Sequence, residues 1–112
     1  RSPFAPRTML AVVEAGRLRS EIERALTAGE RLAVLARSPA TLASERLVWR
    51  QLDSRPAEYG RALYAALREL DRAGAARILV EGVPGGEPWA AIADRLQRAA
   101  APSEDGAVTD AT

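Results

Sequence analysis

One segment of the sequence has the residue types that bind anions through backbone groups. Gly82, Gly85 and Gly86 stand in the run Gly-Val-Pro-Gly-Gly, which joins an apolar run typical of a strand to a predicted helix. Backbone N–H groups and the positive end of a helix dipole favour phosphate at such a junction. Glycines are also expected in any tight turn there, and the spacing is not that of a dinucleotide-binding loop. Anion binding and a plain turn are therefore both open for this glycine segment, residues 82–86.

A second candidate for anion binding is Arg37 with Ser38. These residues follow the second predicted strand directly. Ligands of open α/β sheets bind beyond the carboxyl ends of the strands, so the position suits a ligand. Many turns of this kind offer similar groups, and the pattern alone does not separate a binding site from an ordinary loop.

Most catalytic mechanisms need residue types that this chain lacks. The sequence has no His and no Cys, and all 16 basic residues are Arg. These absences exclude Ser-His-Asp and Cys-His nucleophiles, a lysine Schiff base and a phosphate-binding P-loop. The acidic pairs Glu21 with Glu23 and Glu69 with Asp71 are two residues apart, which places them on different helix faces. We interpret them as solvated charges, and we predict no catalytic residue and no metal site in this chain.

The charge pattern and the aromatic residues give no sign of nucleic-acid binding. The formal net charge is +1, and acidic and basic residues are interspersed along the chain. Trp49, Tyr59 and Trp89 have the chemistry to stack on bases, but each also occupies an apolar position of its predicted element. We predict that these three side chains pack in the core.

The apolar pattern predicts the elements that must position these residues. Short apolar runs predict buried strands at 9–13, 32–36, 47–49 and 78–80. Helical spacing of apolar residues predicts helices between Gly16 and Gly29, between Pro56 and Gly74, and from Pro88 to about Ala100. Asp53 or Ser54 is predicted to cap the second helix. Within residues 37–46, Ser38-Pro39 could start one helical turn.

This order of elements predicts the fold class. Two units in which a helix, a glycine and a strand follow one another favour parallel pairing. We predict a small three-layer, Rossmann-like α/β domain, with a mostly parallel sheet of about four strands flanked by helices. The content of 47% hydrophobic and 28% charged residues is that of a soluble globular protein, and the apolar runs are too short to span a membrane. The expected boundaries are a linker remnant at 1–8, the domain at 9–100 and a disordered tail at 101–112.

Three segments carry a resemblance to a known family. They are residues 59–71 with Gly74 and 77–81 after them, residues 89–99, and Phe4-Ala5-Pro6-Arg7-Thr8. They resemble the C-terminal accessory domain of the long, two-domain form of L-threonylcarbamoyladenylate synthase. The last is similar to the His-Tyr-Ala-Pro segment that links the YrdC-like catalytic domain of that enzyme to its accessory domain. Pro3 and Phe4 stand where the family has His and Tyr, so the polar contacts of that linker do not carry over unchanged.

The resemblance implies a function for the chain. The parent enzyme is a nucleotidyltransferase that uses ATP, with or without Mg²⁺, L-threonine and bicarbonate to make threonylcarbamoyl-AMP for the modification of an adenosine in tRNA. Its catalytic domain would lie upstream of residue 1 in the same cytoplasmic polypeptide. The accessory domain would be a non-catalytic lid, with Phe4, Ala5, Pro6 and Arg7 as linker contacts to the active site of the parent. No direct contact with nucleic acid or membrane is implied.

An alternative from another class is open at this point. The chain has the features of a free-standing α/β binding or protein-interaction module that recognises a small anion or nucleotide through the glycine segment. Its composition agrees with either interpretation.

Overall fold

The structure is a computed structural model that describes residues 5–101, and its strands form one parallel sheet of four. The strands are β1 (Met9–Val13), β2 (Leu32–Ala36), β3 (Leu47–Gln51) and β4 (Arg77–Glu81), in the spatial order β1-β4-β2-β3. The helices are α1 (Ala15–Thr27), α2 (Pro56–Asp71) and α3 (Ala90–Ala100), with a 3-10 turn (Glu87–Trp89) before α3. Phe4 and the predicted tail beyond Ala101 lie outside the described residues. Within residues 5–101, no helix has the length and apolarity needed to cross a membrane.

The two central strands are those whose apolar runs are continuous. Every residue of β2 is buried, and Ile78, Leu79 and Val80 of β4 are at most 1% exposed. A strand that is covered on both faces needs no polar positions, which explains these runs. The outer strands β1 and β3 are more exposed, and Met9 and Val48 are their most exposed apolar residues.

Helices cover both faces of the sheet, which confirms the predicted three layers. Because side chains alternate along a strand, Val34 of β2 packs with α1 on one face and Leu35 packs with α2 and α3 on the other. Leu18 and Ile22 of α1 belong to the first core, and Leu63 of α2 belongs to the second. The predicted α/β class and mostly parallel sheet are therefore confirmed.

Two glycines end the helices that lead into central strands, as predicted. Gly29 follows α1 with φ of 86°, and Gly74 follows α2 with φ of 77°. A side chain would be strained in this left-handed region, whereas glycine adopts it freely. The chain can therefore reverse at once and enter β2 and β4.

Two local predictions are wrong. No side chain caps α2, because the Asp53 carboxylate accepts hydrogen bonds from Arg55 instead, at 2.7 Å from its backbone nitrogen and 2.9 Å from its Nε. No helical turn starts at Ser38-Pro39 either, since residues 37–46 form an irregular loop between the neighbouring strands β2 and β3. The indole nitrogen of Trp49 donates to the Ser38 carbonyl across this loop, at 2.9 Å.

Candidate functional site

The carboxyl ends of the four parallel strands lie at one edge of the sheet. Arg37 follows β2 at this edge, and the glycine segment follows β4, the neighbour of β2. Ligands of open α/β sheets bind outside the carboxyl ends of the strands. The structure thus places the two predicted anion-binding segments at the same edge, here called the carboxyl edge.

Four side chains meet at the carboxyl edge and form a mixed polar and aromatic cluster, here called the Arg37 cluster. The backbone N–H of Arg37 donates to Glu81 Oε1 at 2.8 Å, and Arg37 Nε lies 3.8 Å from the same oxygen. The Arg37 guanidinium carbon lies 5.6 Å from the centre of the Trp89 ring, within range of a cation–π contact. Tyr59 of α2 completes the cluster, since its ring packs edge-on against Trp89 with centroids 5.3 Å apart.

Two buried donors of the cluster have no acceptor among the described residues. Tyr59 is 1% exposed, yet its hydroxyl has no hydrogen-bond partner among residues 5–101. The Nε atom of Arg37 is also buried and lacks a hydrogen-bond partner within these residues. Buried polar atoms in folded proteins are nearly always hydrogen-bonded, so two buried atoms without a hydrogen bond in one cluster are unusual.

Burial of Tyr59 makes the stability of the fold depend on pH in the alkaline range. Burial raises the pKa of Tyr59 to about 12; the Arg37 charge acts to lower it and the Glu81 charge to raise it. A raised pKa means that the fold disfavours the phenolate, so this contribution to stability is complete below pH of about 10 and is lost as pH rises towards about 12. We expect the loss to reach about 2 to 3 kcal/mol, measured by urea denaturation between pH 9 and pH 12.

The Tyr59→Phe variant is the control for this titration, because it keeps the ring and removes the ionising group. Its stability should fall less steeply over the same alkaline range. Equal slopes for the variant and the parent chain would show that Tyr59 is not the titrating group.

The glycine segment contributes less to the cluster than its sequence indicates. The N–H of Gly82 donates to the Val13 carbonyl at 2.8 Å and is not free for a ligand. Gly86 has φ of 105°, and its carbonyl accepts from the N–H of Trp89 at 3.2 Å, which starts the 3-10 turn. Gly85 and Ser38 are exposed. Of the predicted anion-binding residues, only Arg37 joins the cluster, and anion binding by the others stays a prediction.

Residues 5–8, which belong to the predicted linker, enter at the opposite edge of the sheet, where the strands begin. The Asp71 carboxylate, at the end of α2, accepts from the backbone N–H groups of Thr8 at 2.8 Å and Arg7 at 3.1 Å. Partial burial acts to raise the pKa of Asp71, but the hydrogen bonds from Thr8 and Arg7 lower it overall. Ala5, Pro6 and Arg7 therefore approach the domain at this amino edge, away from the Arg37 cluster.

Two of these residues differ from the sequence-based predictions. The interpretation of Asp71 as a solvated charge is wrong, because its carboxylate accepts hydrogen bonds from the Thr8 and Arg7 backbone. Glu81 is not among the predicted site residues, although a carboxylate at the end of an apolar strand run is a usable signal. Glu69, in contrast, is an exposed partner of Arg50 at 3.1 Å, as expected of a solvated charge. The predicted burial of Tyr59 and Trp89 is confirmed, and Trp49 is half-buried beside α1.

An open groove of about 580 Å³ lies between α2 and α3. Its lining is mostly apolar and includes Ala57, Gly60 and Ile92, with Arg55 and Arg95 as the charged members. Within residues 5–101, no group of three or more His, Cys, Asp or Glu side chains is placed to hold a metal ion.

Comparison with known protein families identifies the family of this chain. The sequence model of the C-terminal domain of threonylcarbamoyl-AMP synthase matches residues 2–101. The chain belongs to this family. Membership of the threonylcarbamoyl-AMP synthase C-terminal domain family confirms the resemblance that residues 59–71 and 77–81 indicate. No match was found among curated proteins.

A solved structure has the same fold as this synthase domain. The crystal structure of P. abyssi Sua5 complexed with L-threonine matches with a TM-score of 0.68 at 24% sequence identity. The match covers 89% of this chain and 30% of that chain. The domain described here thus spans less than a third of that relative.

Proposed function

We propose that this domain is the accessory, lid-forming part of a threonylcarbamoyl-AMP synthase whose catalytic domain precedes it in the same polypeptide. Family membership supports this proposal, as does the small share of the P. abyssi protein that the domain covers. The sequence adds support, because it has neither the His nor the Cys of common nucleophile systems. A lid acts through its shape and its hinge, and it needs no reactive side chains.

The parent reaction would take place outside this domain. In the proposed enzyme, ATP, L-threonine and bicarbonate give threonylcarbamoyl-AMP and pyrophosphate in the cytoplasm, for the modification of tRNA. We assign ATP and any Mg²⁺ to the upstream catalytic domain. We give this domain no step of the chemistry, because its sequence lacks the His, Cys and Lys of common catalytic systems.

The observation that carries the lid proposal is the fastening of the linker to Asp71. Two backbone N–H groups donate to one carboxylate, and the Thr8 hydroxyl adds a weaker bond to the Asp71 carbonyl at 3.4 Å. The chain from Arg7 onward is thereby tied to the end of α2 and moves with the domain. The hinge of the lid would lie upstream of Arg7, close to Ala5 and Pro6, which the family resemblance places near the active site of the parent.

The Asp71→Ala variant tests this proposal in the polypeptide that includes the upstream catalytic domain. Loss of the fastening leaves the linker less well oriented, and we expect threonylcarbamoyl-AMP formation to slow about tenfold, which corresponds to about 1.4 kcal/mol. The rate is measured with ATP, L-threonine and bicarbonate. A second protein, which keeps the catalytic domain and ends before Met9, lacks the accessory domain. It should lose at least as much activity as Asp71→Ala.

The matched control for this test is Asp94→Ala, which removes an exposed carboxylate that pairs with Arg98 on α3. Its rate should equal that of the parent protein, and thermal unfolding should show both variants folded. An unchanged rate in the truncated protein would contradict the accessory role itself. Full activity in Asp71→Ala, with activity lost on truncation, would contradict only the role of the fastening.

A further inference from the structure

The Arg37 cluster combines features that ordinary core packing does not explain. Tyr59 is 1% exposed and its hydroxyl lacks a hydrogen-bond partner among the described residues, as does Arg37 Nε. A buried polar group that is left without a hydrogen-bond partner has lost its bonds to water and gained none in return, so this arrangement opposes folding. Stability given up in this way is typical of sites that serve a ligand.

The position of the cluster is also that of a ligand site. Arg37 and Glu81 directly end or follow the two central strands, at the carboxyl edge where α/β sheets bind their ligands. Trp89 supplies an aromatic wall, 5.6 Å from the Arg37 guanidinium carbon. The Arg37 side chain is 22% exposed although its Nε atom is enclosed, so another part of this side chain reaches solvent.

The chemistry of the unpaired atoms defines the class of ligand. Arg37 Nε can only donate a hydrogen bond, and the Tyr59 hydroxyl donates readily, so the partner must supply acceptor oxygen. Glu81 does not fill this role, because its Oε1 accepts from the Arg37 backbone N–H and lies 3.8 Å from Nε, beyond hydrogen-bond distance. An oxygen with negative charge is favoured, since bonds from arginine to oxyanions are stronger than bonds to neutral acceptors.

We propose that the Arg37 cluster binds a small oxyanion, with Arg37 Nε and the Tyr59 hydroxyl as its donors. Glu81 fixes the Arg37 backbone and offsets one positive charge, so binding is weak, with Kd on the order of 1 mM. This site is independent of the synthase chemistry and goes beyond the proposed function, because the linker and its hinge lie at the other edge of the sheet.

Titration of the 112-residue chain with inorganic phosphate tests the proposal. Nitrogen–proton NMR spectra of the labelled chain report directly on Arg37 Nε–H and on the Trp89 indole, and the Arg37→Gln spectrum identifies the former. We expect saturable shifts of both resonances with phosphate, and none with sodium chloride at the same ionic strength. Sulfate and acetate arms distinguish a preference for tetrahedral anions from recognition of any oxyanion.

Tyr59→Phe separates binding from structure. It removes an unpaired hydroxyl, so in phosphate-free buffer its melting temperature should equal or exceed that of the parent chain, while its phosphate affinity falls at least about fivefold. Arg37→Gln should lose binding to a similar or greater extent. The matched control is Arg72→Gln, which removes an exposed arginine at the amino edge and should bind phosphate as the parent does.

The outcomes that overturn the proposal are concrete. Shifts that stay linear up to about 50 mM phosphate, or that chloride reproduces, would show no specific site. Equal affinity in Tyr59→Phe and the parent would remove the hydroxyl from the site. A lower melting temperature for Tyr59→Phe, with no saturable response in either protein, would show that the hydroxyl has a structural partner, such as a buried water, instead of a ligand.

Discussion

Replacement of Leu63 by alanine is expected to lower the free energy of unfolding by about 2 to 5 kcal/mol. Leu63 is fully buried on α2, in the core that this helix forms with α3 and one face of the sheet. The smaller side chain leaves a cavity that a packed interior fills only in part. Urea denaturation of Leu63→Ala and of the parent chain, followed by circular dichroism, gives the difference.

Met9→Ala is the matched control for this experiment. Met9 has similar size but is 71% exposed at the edge strand β1, so its truncation should cost less than about 0.5 kcal/mol. A loss of under about 1 kcal/mol in Leu63→Ala would contradict the position of α2 in the structure. Such a result would also call for another position of Tyr59 and Asp71, because both residues belong to α2.

The second large effect is expected for Glu81→Ala, which should destabilise the chain by about 2 to 4 kcal/mol. The Glu81 side chain is 11% exposed and Arg37 is 22% exposed, so the substitution leaves a largely enclosed guanidinium without its carboxylate. The Arg37 backbone N–H also loses its acceptor at 2.8 Å. Some exposure of the guanidinium to water keeps the loss below that of a fully buried pair.

Two further variants make the Glu81 measurement specific. Glu81→Gln retains an oxygen that can accept from the Arg37 N–H, so its loss should be about half that of Glu81→Ala. Glu69→Ala breaks an ion pair with Arg50 whose carboxylate side chain is 56% exposed, and it should cost less than about 1 kcal/mol. If Glu81→Ala cost no more than Glu69→Ala, the Arg37 cluster would not be the enclosed unit that the structure describes.

Local sequence patterns were sufficient for most of the fold. Strands β1 and β2 have the predicted bounds because the alternation of apolar runs with polar loops is a local property. Gly29 and Gly74 were identified from their place after helical repeats, and their positive φ angles agree. The strand order β1-β4-β2-β3 could not be predicted, since it depends on contacts between segments far apart in the chain.

The two wrong local predictions, the cap of α2 and the helical turn at Ser38-Pro39, each have a cause nearby in the chain. Asp53 has the residue type of a helix cap, but Arg55 supplies three donors only two residues away and occupies the carboxylate. In the connection 37–46, Ser38-Pro39 has the sequence of a helix start, but β2 and β3 are direct neighbours and an irregular loop suffices to join them. Propensity alone does not resolve such competition.

The candidate site could be predicted only in part. Arg37 was found because its position after a strand is visible in the sequence. The predicted burial of Tyr59 and Trp89 is confirmed. Their ring contact, and the absence of an acceptor for the Tyr59 hydroxyl among residues 5–101, depend on how α2 and the 3-10 turn meet in the folded chain. The hydrogen bonds of Asp71 likewise join residues more than 60 positions apart.

Helix α2 reaches from one edge of the sheet to the other. Tyr59 lies in its first turn at the Arg37 cluster, and Asp71 is its last residue, where the incoming chain is tied. At the rise of an α-helix these two residues are about 18 Å apart along a stiff rod. The helix therefore sets a fixed distance between the Arg37 cluster and the point where the incoming chain is tied.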